Sequence, residues 1–468
     1  MRYLPLAALA ATLAFAPALA QDSEQGFFGR LFGASGDSDE NPGGFIEGLL
    51  EDNLSSDVRS VRIDGFDGAL SGRATIESLT IADSDGVWLT LEDAVLDWNR
   101  SALLRGRLEV AELSAARISM PRLPVADDSA TPAPEAAGFS LPELPVSVNI
   151  EKIEAAEVFL GAPLIGTEIL AEVAGAVSLA DGEGSADLEI VRLNGDGALS
   201  LDASYANASK VLALDLSLTE GERGILATLL NLPGRPSVDF SVSGEAPVTA
   251  YAADIRLATG GEERLSGQVT TEQPEDLPGA NLRLLADIRG DIAPVFAPQY
   301  QAFFGPNESL RTRVTTFADG RTEIDQLGVR ADALSLSGNI ELAAGLPSRI
   351  DLSGEIASES GAPVLLPLAG PETRVDAVDL VIGFDAAEGD QRRGDIAIDG
   401  LSRAGFSADA SEITGTGRIR DGTPREVTAS LLFGATALDL GNPDAEEALG
   451  ERVTGGLALE WQDGAPLT

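Results

Sequence analysis

The chain has 468 residues, with neither cysteine nor histidine, and a formal net charge of −43. Without cysteine, burial and strand pairing must hold the fold, and so acidic a chain lacks the clustered cations that nucleic acid requires. The missing His and Cys exclude Ser-His-Asp, Cys-His and thiol catalysis, and no phosphate-binding glycine motif occurs. We therefore expect a non-enzymatic protein that uses no cofactor and binds no nucleic acid.

Residues 1–20 have the layout of a secretory signal. Arg2 precedes an apolar run from Leu4 to Leu19, and the run closes on small residues just before Gln21. The run is shorter than the roughly 20 residues that span a bilayer. The sequence therefore predicts an exported protein whose signal peptide is removed, so that the mature chain begins at Gln21.

Residues 21–56 are predicted to contain a flexible segment followed by an amphipathic helix. The apolar side of this helix recurs at helical spacing and consists of Phe45, Ile46, Leu49, Leu50 and Leu54. Such a helix could dock at a membrane edge or on a partner, or it could cap the open end of a sheet. Its acidic opposite face favours the cap, because interfacial helices usually carry Lys and Arg.

Residues 57–124 are predicted to form a β-meander. Polarity alternates with period two along 87–92, with Val87 on the apolar face, and the preceding stretch 83–86 is typical of a turn. A single helical turn over Arg100 to Arg105 is expected to end at Gly106 in the left-handed conformation. We expect both tryptophans of this region, Trp88 and Trp98, to be buried.

The run Gly86-Val87-Trp88-Leu89, taken with LDWNRSALLRG at residues 96–106, resembles the amino-terminal region of the TamB family. This family belongs to the translocation and assembly module and to the wider AsmA-like, bridge-like group of lipid transporters. The resemblance is close over about residues 45–124 and extends further only in the style of the repeats. Family members commonly keep the amino-terminal segment as an anchor in the inner membrane, so the predicted cleavage departs from their pattern.

The resemblance implies a long sheet rolled into an open hydrophobic groove that lies in the periplasm between the inner and outer membranes. It further implies that the groove conducts phospholipid through contact with acyl chains. The implied partners are the inner membrane near the amino terminus and a TamA-like outer-membrane barrel protein. With that barrel, the family assists the assembly and secretion of outer-membrane proteins and autotransporters.

Residues 125–145 have the proline-rich composition of a linker, and residues 146–468 read as strand after strand of an all-β, mostly antiparallel sheet. Aliphatic residues alternate there with small or polar ones. On this pattern the residues predicted to line the groove are Leu199, Leu201, Leu212, Leu214, Leu216, Val238, Phe240, Leu334, Leu336, Ile340 and Leu342.

A longer period of about 70 residues overlies the strands. Helix-like apolar segments at 225–236, 292–306 and 364–371 each end in Gly and Pro, and a new run of strands follows each of them. Repeats of this kind stack into elongated arrays. The last predicted strand, around residues 457–461, has no cap after it, so we expect the sequence to be truncated at Thr468.

Three local features have alternative interpretations. The turn with Asp83 and Asp85 has some character of a calcium site, and the many carboxylates could include a catalytic pair, although a solvated face explains them better. The basic cluster of Arg100, Arg105 and Arg107 could receive a lipid phosphate or a carboxylate of a partner, but pairing with the nearby acids Glu92, Asp93 and Asp97 is favoured. For the whole chain, the alternative to a lipid bridge is an extracellular β-repeat adhesin or structural fibre.

Overall fold

The structure is a computed structural model that describes residues 59–462 except 69–71, 104, 126–140, 142–145, 344, 389–390 and 421–425. The predicted signal peptide, amphipathic helix and chain end, and nearly all of the linker, lie outside these residues. Within the described ranges the chain forms 24 strands and a few short helices, and nearly all strand pairs are antiparallel. The predicted all-β, mostly antiparallel fold with short helices between strand runs is confirmed.

The chain divides into two compact units. Unit 1 consists of Met1–Ala133, Ser140–Ala208 and Leu214–Asn231, and unit 2 of the remainder, mainly Leu232–Thr468. The helices of unit 1 are α1 (Arg100–Leu103), α2 (Ala162–Ile165) and α3 (Ile225–Leu229). Its strands are β1 (Ser60–Asp64), β2 (Arg73–Asp83), β3 (Gly86–Trp98), β4 (Arg107–Met120), β5 (Ser147–Leu160), β6 (Ile169–Ala180), β7 (Glu183–Arg192), β8 (Gly197–Ala206) and most of β9 (Val211–Glu220).

Unit 2 contains the remaining strands, two α-helices and three 3₁₀ helices. The helices are α4 (Gln301–Phe304), α5 (Pro443–Leu449) and the 3₁₀ turns Ala293–Val295, Pro298–Tyr300 and Ala386–Glu388. The strands are β10 (Val238–Pro247), β11 (Ala252–Thr259), β12 (Glu262–Glu272), β13 (Ala280–Gly290), β14 (Glu308–Phe317), β15 (Arg321–Arg330), β16 (Leu334–Ala343), β17 (Leu346–Ala357), β18 (Val364–Leu365), β19 (Thr373–Val375), β20 (Ala377–Asp385), β21 (Gln391–Arg403), β22 (Phe406–Arg420), β23 (Glu426–Thr436) and β24 (Arg452–Gln462).

One pair in unit 1 is parallel. β4 and β5 run in the same direction, with Arg107 opposite Ser147 and Met120 opposite Leu160. Parallel neighbours need a long connection that returns the chain to its starting side. The predicted linker is part of that connection, so it joins two adjacent strands of the same unit.

The first hairpin shows why simple alternation fails around Trp88. Leu89 lies opposite Ile81 and Val87 opposite Ala82, which leaves Trp88 as the extra residue of a β-bulge. Trp88 is buried, at 6% exposure, as predicted, whereas Trp98 is only half-buried and Val87 is 46% exposed. The expectation that Val87 belongs to the apolar face was therefore wrong, because a bulge redirects the side chains beside it.

The predicted helical turn after β3 is present and shorter than expected. It spans α1 alone, and Gly106 beyond it has φ 71°. A left-handed backbone of this kind is easily adopted by glycine, which has no Cβ to clash with the chain. The predicted left-handed conformation of Gly106 is therefore confirmed, whereas the helix itself ends earlier, at Leu103.

In unit 2 the strands come in runs of four. The chain makes β10–β13, then the 3₁₀ turns with α4, then β14–β17, then the β18–β19 hairpin, then β20–β23 and finally α5 before β24. All the neighbouring strands in these runs are antiparallel. Because four is an even number, each run returns the chain to the side from which it started. The inserted elements therefore share one side of unit 2, which we call the capped margin.

One predicted helix-like segment was wrong. Residues 364–371 contain β18 and a loop, and Val364 pairs with Val375 of β19. Pro367 and Pro371 lack the backbone N–H that a helix requires, and β-branched Val364 suits an extended strand. Gly370 in the loop has φ 101°, a backbone conformation that glycine adopts easily.

Candidate apolar binding face

Strand register decides which side chains share a face of the sheet. Residues that lie directly opposite each other on paired strands project from the same side, as do residues two apart along one strand. Following the paired residues from strand to strand therefore traces rows across each unit.

One row in unit 2 is apolar or glycine at every position from β10 to β23. We call it the central row. Its members are Val242, Ile255, Gly267, Ile288, Leu310, Val329, Leu336, Gly354, Leu380, Ile396, Ile413 and Phe433.

The central row remains in contact with solvent. None of its members is fully buried, and Leu310 is 36% and Phe433 44% exposed. The sequence neighbours of Leu336, namely Ser335 and Ser337, are exposed on the opposite side. Unit 2 thus has an aliphatic face that its own packing covers only in part. Such a face suits a ligand with no polar groups along its length.

The structure places three of the predicted lining residues of β16 on this face. Leu336 belongs to the central row, Ile340 lies opposite both Ile324 and Ile350, and Leu342 lies opposite Thr322 and Pro347. All three are half-buried. They share this face because even numbers of residues separate them along the strand, although the row of Leu342 also contains Thr322.

Three other predicted lining residues of unit 2 have different surroundings. Phe240 is half-buried opposite Leu257 of β11. Val238 is only 2% exposed, since it begins its strand beside Thr259, which is itself 3% exposed. Leu334 packs against the main buried cluster of the unit. Val238 and Leu334 therefore belong to packed regions of the face.

Unit 1 has rows of the same kind. Four of the predicted lining residues belong to this unit and are half-buried, namely Leu199, Leu201, Leu214 and Leu216. Leu212, in the short segment of β9 that is assigned to unit 2, is half-buried as well. Leu201 ends a row that crosses seven strands as Ala74, Leu96, Leu113, Ile153, Gly175, Leu188 and Leu201. Leu113 of this row is 40% exposed. The partly covered aliphatic face is thus a property of each unit by itself.

The opposite face of unit 2 is mostly polar, although Val381 and Leu432 are exposed apolar side chains on it. The Asp287 carboxylate accepts bonds from both Arg289 and Arg311, at 3.0 Å each, and Arg289 in particular holds the pKa of that carboxyl below its ordinary value. A cavity of about 250 Å³ over β15–β17 is lined mainly by polar and charged side chains, among them Asp325, Asn339 and Glu341. Exposed ion pairs of this type mark a solvated surface.

The predicted calcium turn has another role. The Asp83 carboxylate accepts hydrogen bonds from both terminal nitrogens of Arg122, at 2.9 and 2.5 Å, and from the Val125 amide at 2.7 Å. These bonds hold the pKa of Asp83 well below its usual range, and its side chain is only 6% exposed. Protein donors already occupy the carboxylate. Among the described residues, no group of three or more acids is placed to hold a metal ion.

The basic cluster after β3 is distributed among different partners. Arg107 pairs with Glu109 at 3.2 Å, while Asp97 pairs with Arg73 at 3.3 Å. Asp97 was one of the acids expected to neutralise the cluster, and a cross-strand arginine takes it instead. Direct pairing of opposite charges across strands explains this choice, since Arg73 lies opposite Asp97.

Most members of the central row were not named from the sequence. Alternation within a single strand identifies a face, and it would have included Ile255, Ile288 and Val329 if applied to every strand. It does not say which residues of different strands lie opposite each other. That alignment comes from pairing between strands that are distant in the chain.

Comparison with protein-family models, curated proteins and solved structures found no match for this chain. In the portion of the chain that the structure describes, no helix has the length and apolar character needed to cross a bilayer.

Proposed function

We propose that this protein is a periplasmic bridge that conducts phospholipid between the inner and outer membranes, with acyl chains on the partly covered aliphatic faces. The central row of unit 2 is the observation that carries the proposal. It crosses twelve strands without a polar side chain and leaves Leu310 and Phe433 more than one-third exposed. Contiguous exposed apolar surface is typical of binding sites, and this supports the proposal.

Composition supports an acyl chain as the occupant. Aromatic residues make up only 5% of the chain, so the faces are lined mainly by flexible aliphatic side chains. The net charge of −43 repels anionic head groups and excludes attachment through a broad basic patch. Lipid contact therefore has to come from apolar burial, which the rows provide.

The proposal includes a second activity, assistance to the assembly and secretion of outer-membrane β-barrel proteins or autotransporters with a TamA-like barrel partner. Its support is the resemblance of residues 86–106 to the TamB family. Affinity purification from membranes, followed by identification of the co-purifying barrel, tests this part separately from lipid binding.

The sharpest test of lipid conduction compares two adjacent residues on opposite faces. A photoreactive amino acid replaces Leu336 in one protein and Ser337 in the other, and mass spectrometry detects adducts after irradiation of cells. We expect phospholipid adducts at position 336 and none at 337. Equal labelling, or none at 336 while the protein is folded and exported, would contradict the proposal and favour the adhesin or fibre, whose apolar surface closes on itself.

A further inference from the structure

We propose that α4 and the β18–β19 hairpin form a fixed wall that closes the aliphatic face of unit 2 at the capped margin and confines acyl chains to the central row and the rows beyond it. This inference rests on the proposed lipid binding, which it deepens. It assigns a positioning role to residues that nothing in the sequence connects with the face.

The wall has a dry core. Phe303 of α4, Val364 of β18 and Val375 of β19 are 6%, 6% and 0% exposed, and they pack with Ala333 and Val378. Val375 is one of only two large side chains in the described residues with less than 2% exposure. Close packing of this kind leaves no space for a ligand.

The covered positions belong to the same face as the central row. Leu334, Ile356, Val378 and Ile398 lie opposite one another on β16, β17, β20 and β21, and we call them the marginal row. All except Val378 are partly buried against the core of the wall, of which Val378 is itself a member. The marginal row is two residues away from the central row along each strand, about 7 Å.

Hydrogen bonds on several sides hold the wall in place. The amides of Asp332 and Ala333 donate to the carbonyls of Phe304 and Phe303, at 2.7 and 3.0 Å. β19 pairs with β21, where Thr373 lies opposite Arg403. These bonds tie both elements of the wall to the ends of the sheet strands, so it forms part of the framework of unit 2.

Aromatic contact reinforces α4. The rings of Phe296 and Phe304 are stacked with centroids 3.6 Å apart, and the Phe303 ring meets Phe304 edge to face at 5.1 Å. The Tyr300 hydroxyl donates to the carbonyl of Leu368 at 3.4 Å, which links the 3₁₀ turn before α4 to the loop after β18. The two parts of the wall are therefore connected to each other.

The wall therefore blocks the aliphatic face on one side and leaves it open on the other. An acyl chain on Leu336 or Leu380 meets the wall on one side and further half-buried rows, including Ile340 and Leu342, on the other. Lipid on unit 2 is thereby kept away from the capped margin. The wall residues position the acyl chain because they occupy the space beside the marginal row.

The absence of native cysteine makes the test simple. Leu334→Cys and Leu336→Cys are prepared singly in the full-length chain. One sample of each variant is treated with a water-soluble maleimide. In a second sample a photoreactive phospholipid is attached to the new thiol and irradiated. We expect maleimide to label position 336 at least about tenfold faster than position 334, because labelling at 334 requires local opening of the wall. We expect lipid cross-links to neighbouring side chains at 336 only.

Variants of the wall complete the test. Val375→Ala or Phe303→Ala combined with Leu334→Cys should raise labelling at 334 toward the rate at 336. The matched control is Leu368→Ala, since Leu368 lies in the loop between β18 and β19 but is 53% exposed. This substitution should leave position 334 protected. If a wall variant does not fold, the labelling rates at positions 334 and 336 with the intact wall still test whether the wall closes the margin.

The possible failures are distinguishable. Equal maleimide labelling at 334 and 336 in the intact protein would overturn the wall. Protection at 334 without lipid cross-links at 336 would retain the closed margin, overturn its role in lipid positioning and contradict the proposed function.

Discussion

Replacing Leu310 with Asp tests whether the central row is an open binding face or a dry core. Leu310 is 36% exposed, so about two-thirds of its surface is removed from water. Full burial of a leucine stabilises by roughly 1.5–3 kcal/mol, and two-thirds of that predicts a loss of about 1–2 kcal/mol in the free energy of unfolding. A close-packed core site would lose about 3–5 kcal/mol.

Urea unfolding monitored by circular dichroism measures the loss, and lipid cross-linking at Leu336 measures the effect on the face. The matched control is Ser309→Asp, which places the same charge on the adjacent residue and on the opposite face, opposite Arg289 and Arg330. We expect Leu310→Asp to abolish cross-linking at a modest cost in stability and Ser309→Asp to affect neither. A loss above about 3 kcal/mol for Leu310→Asp would refute the reasoning and favour a closed fibre.

Three further predictions concern single positions. The pKa of Asp83 is lowered in the folded state, so its contribution to stability should be complete at neutral pH and should decrease below about pH 4. Hydrogen exchange at the Val125 amide should accelerate below that pH. In the Asp83→Asn variant this amide should exchange fast at all pH values. Burial raises the pKa of Glu308, so its charge lowers the stability of the fold at neutral pH, and stability should rise as the pH falls through that raised pKa. Glu308→Gln should raise the melting temperature at pH 7 and remove the pH dependence that Glu308 causes. A variant with the pH profile of the original protein would contradict this prediction. Gly338 has φ 149°, and a Cβ added to it would lie 2.0 Å from a carbonyl oxygen on the next strand. Gly338→Ala should therefore lower the urea midpoint by the equivalent of about 1–3 kcal/mol in the free energy of unfolding. Gly383→Ala, which has open space around the added Cβ, should leave the midpoint unchanged.

The sequence by itself determined the fold class and the chemistry of the faces. Aliphatic residues recur with period two in strand after strand, as at Leu199 and Leu201, and only a sheet places such residues together on one side. Glycine at position 106 was enough to predict a left-handed residue after the short helix, because left-handed backbone is a local property. These features depend on neighbours in the chain, so they can be read without the fold.

Only the tertiary structure decided which aliphatic positions remain open. Leu334 and Leu336 have the same local pattern and are both half-buried, yet only Leu334 packs against the buried core of the wall. Likewise Asp83 is bound by Arg122, 39 residues away, and no local motif marks their contact. Register, bulges and covering elements all arise from pairing between distant segments, and the free energy of those contacts depends on three-dimensional packing that short-range periodicity does not encode.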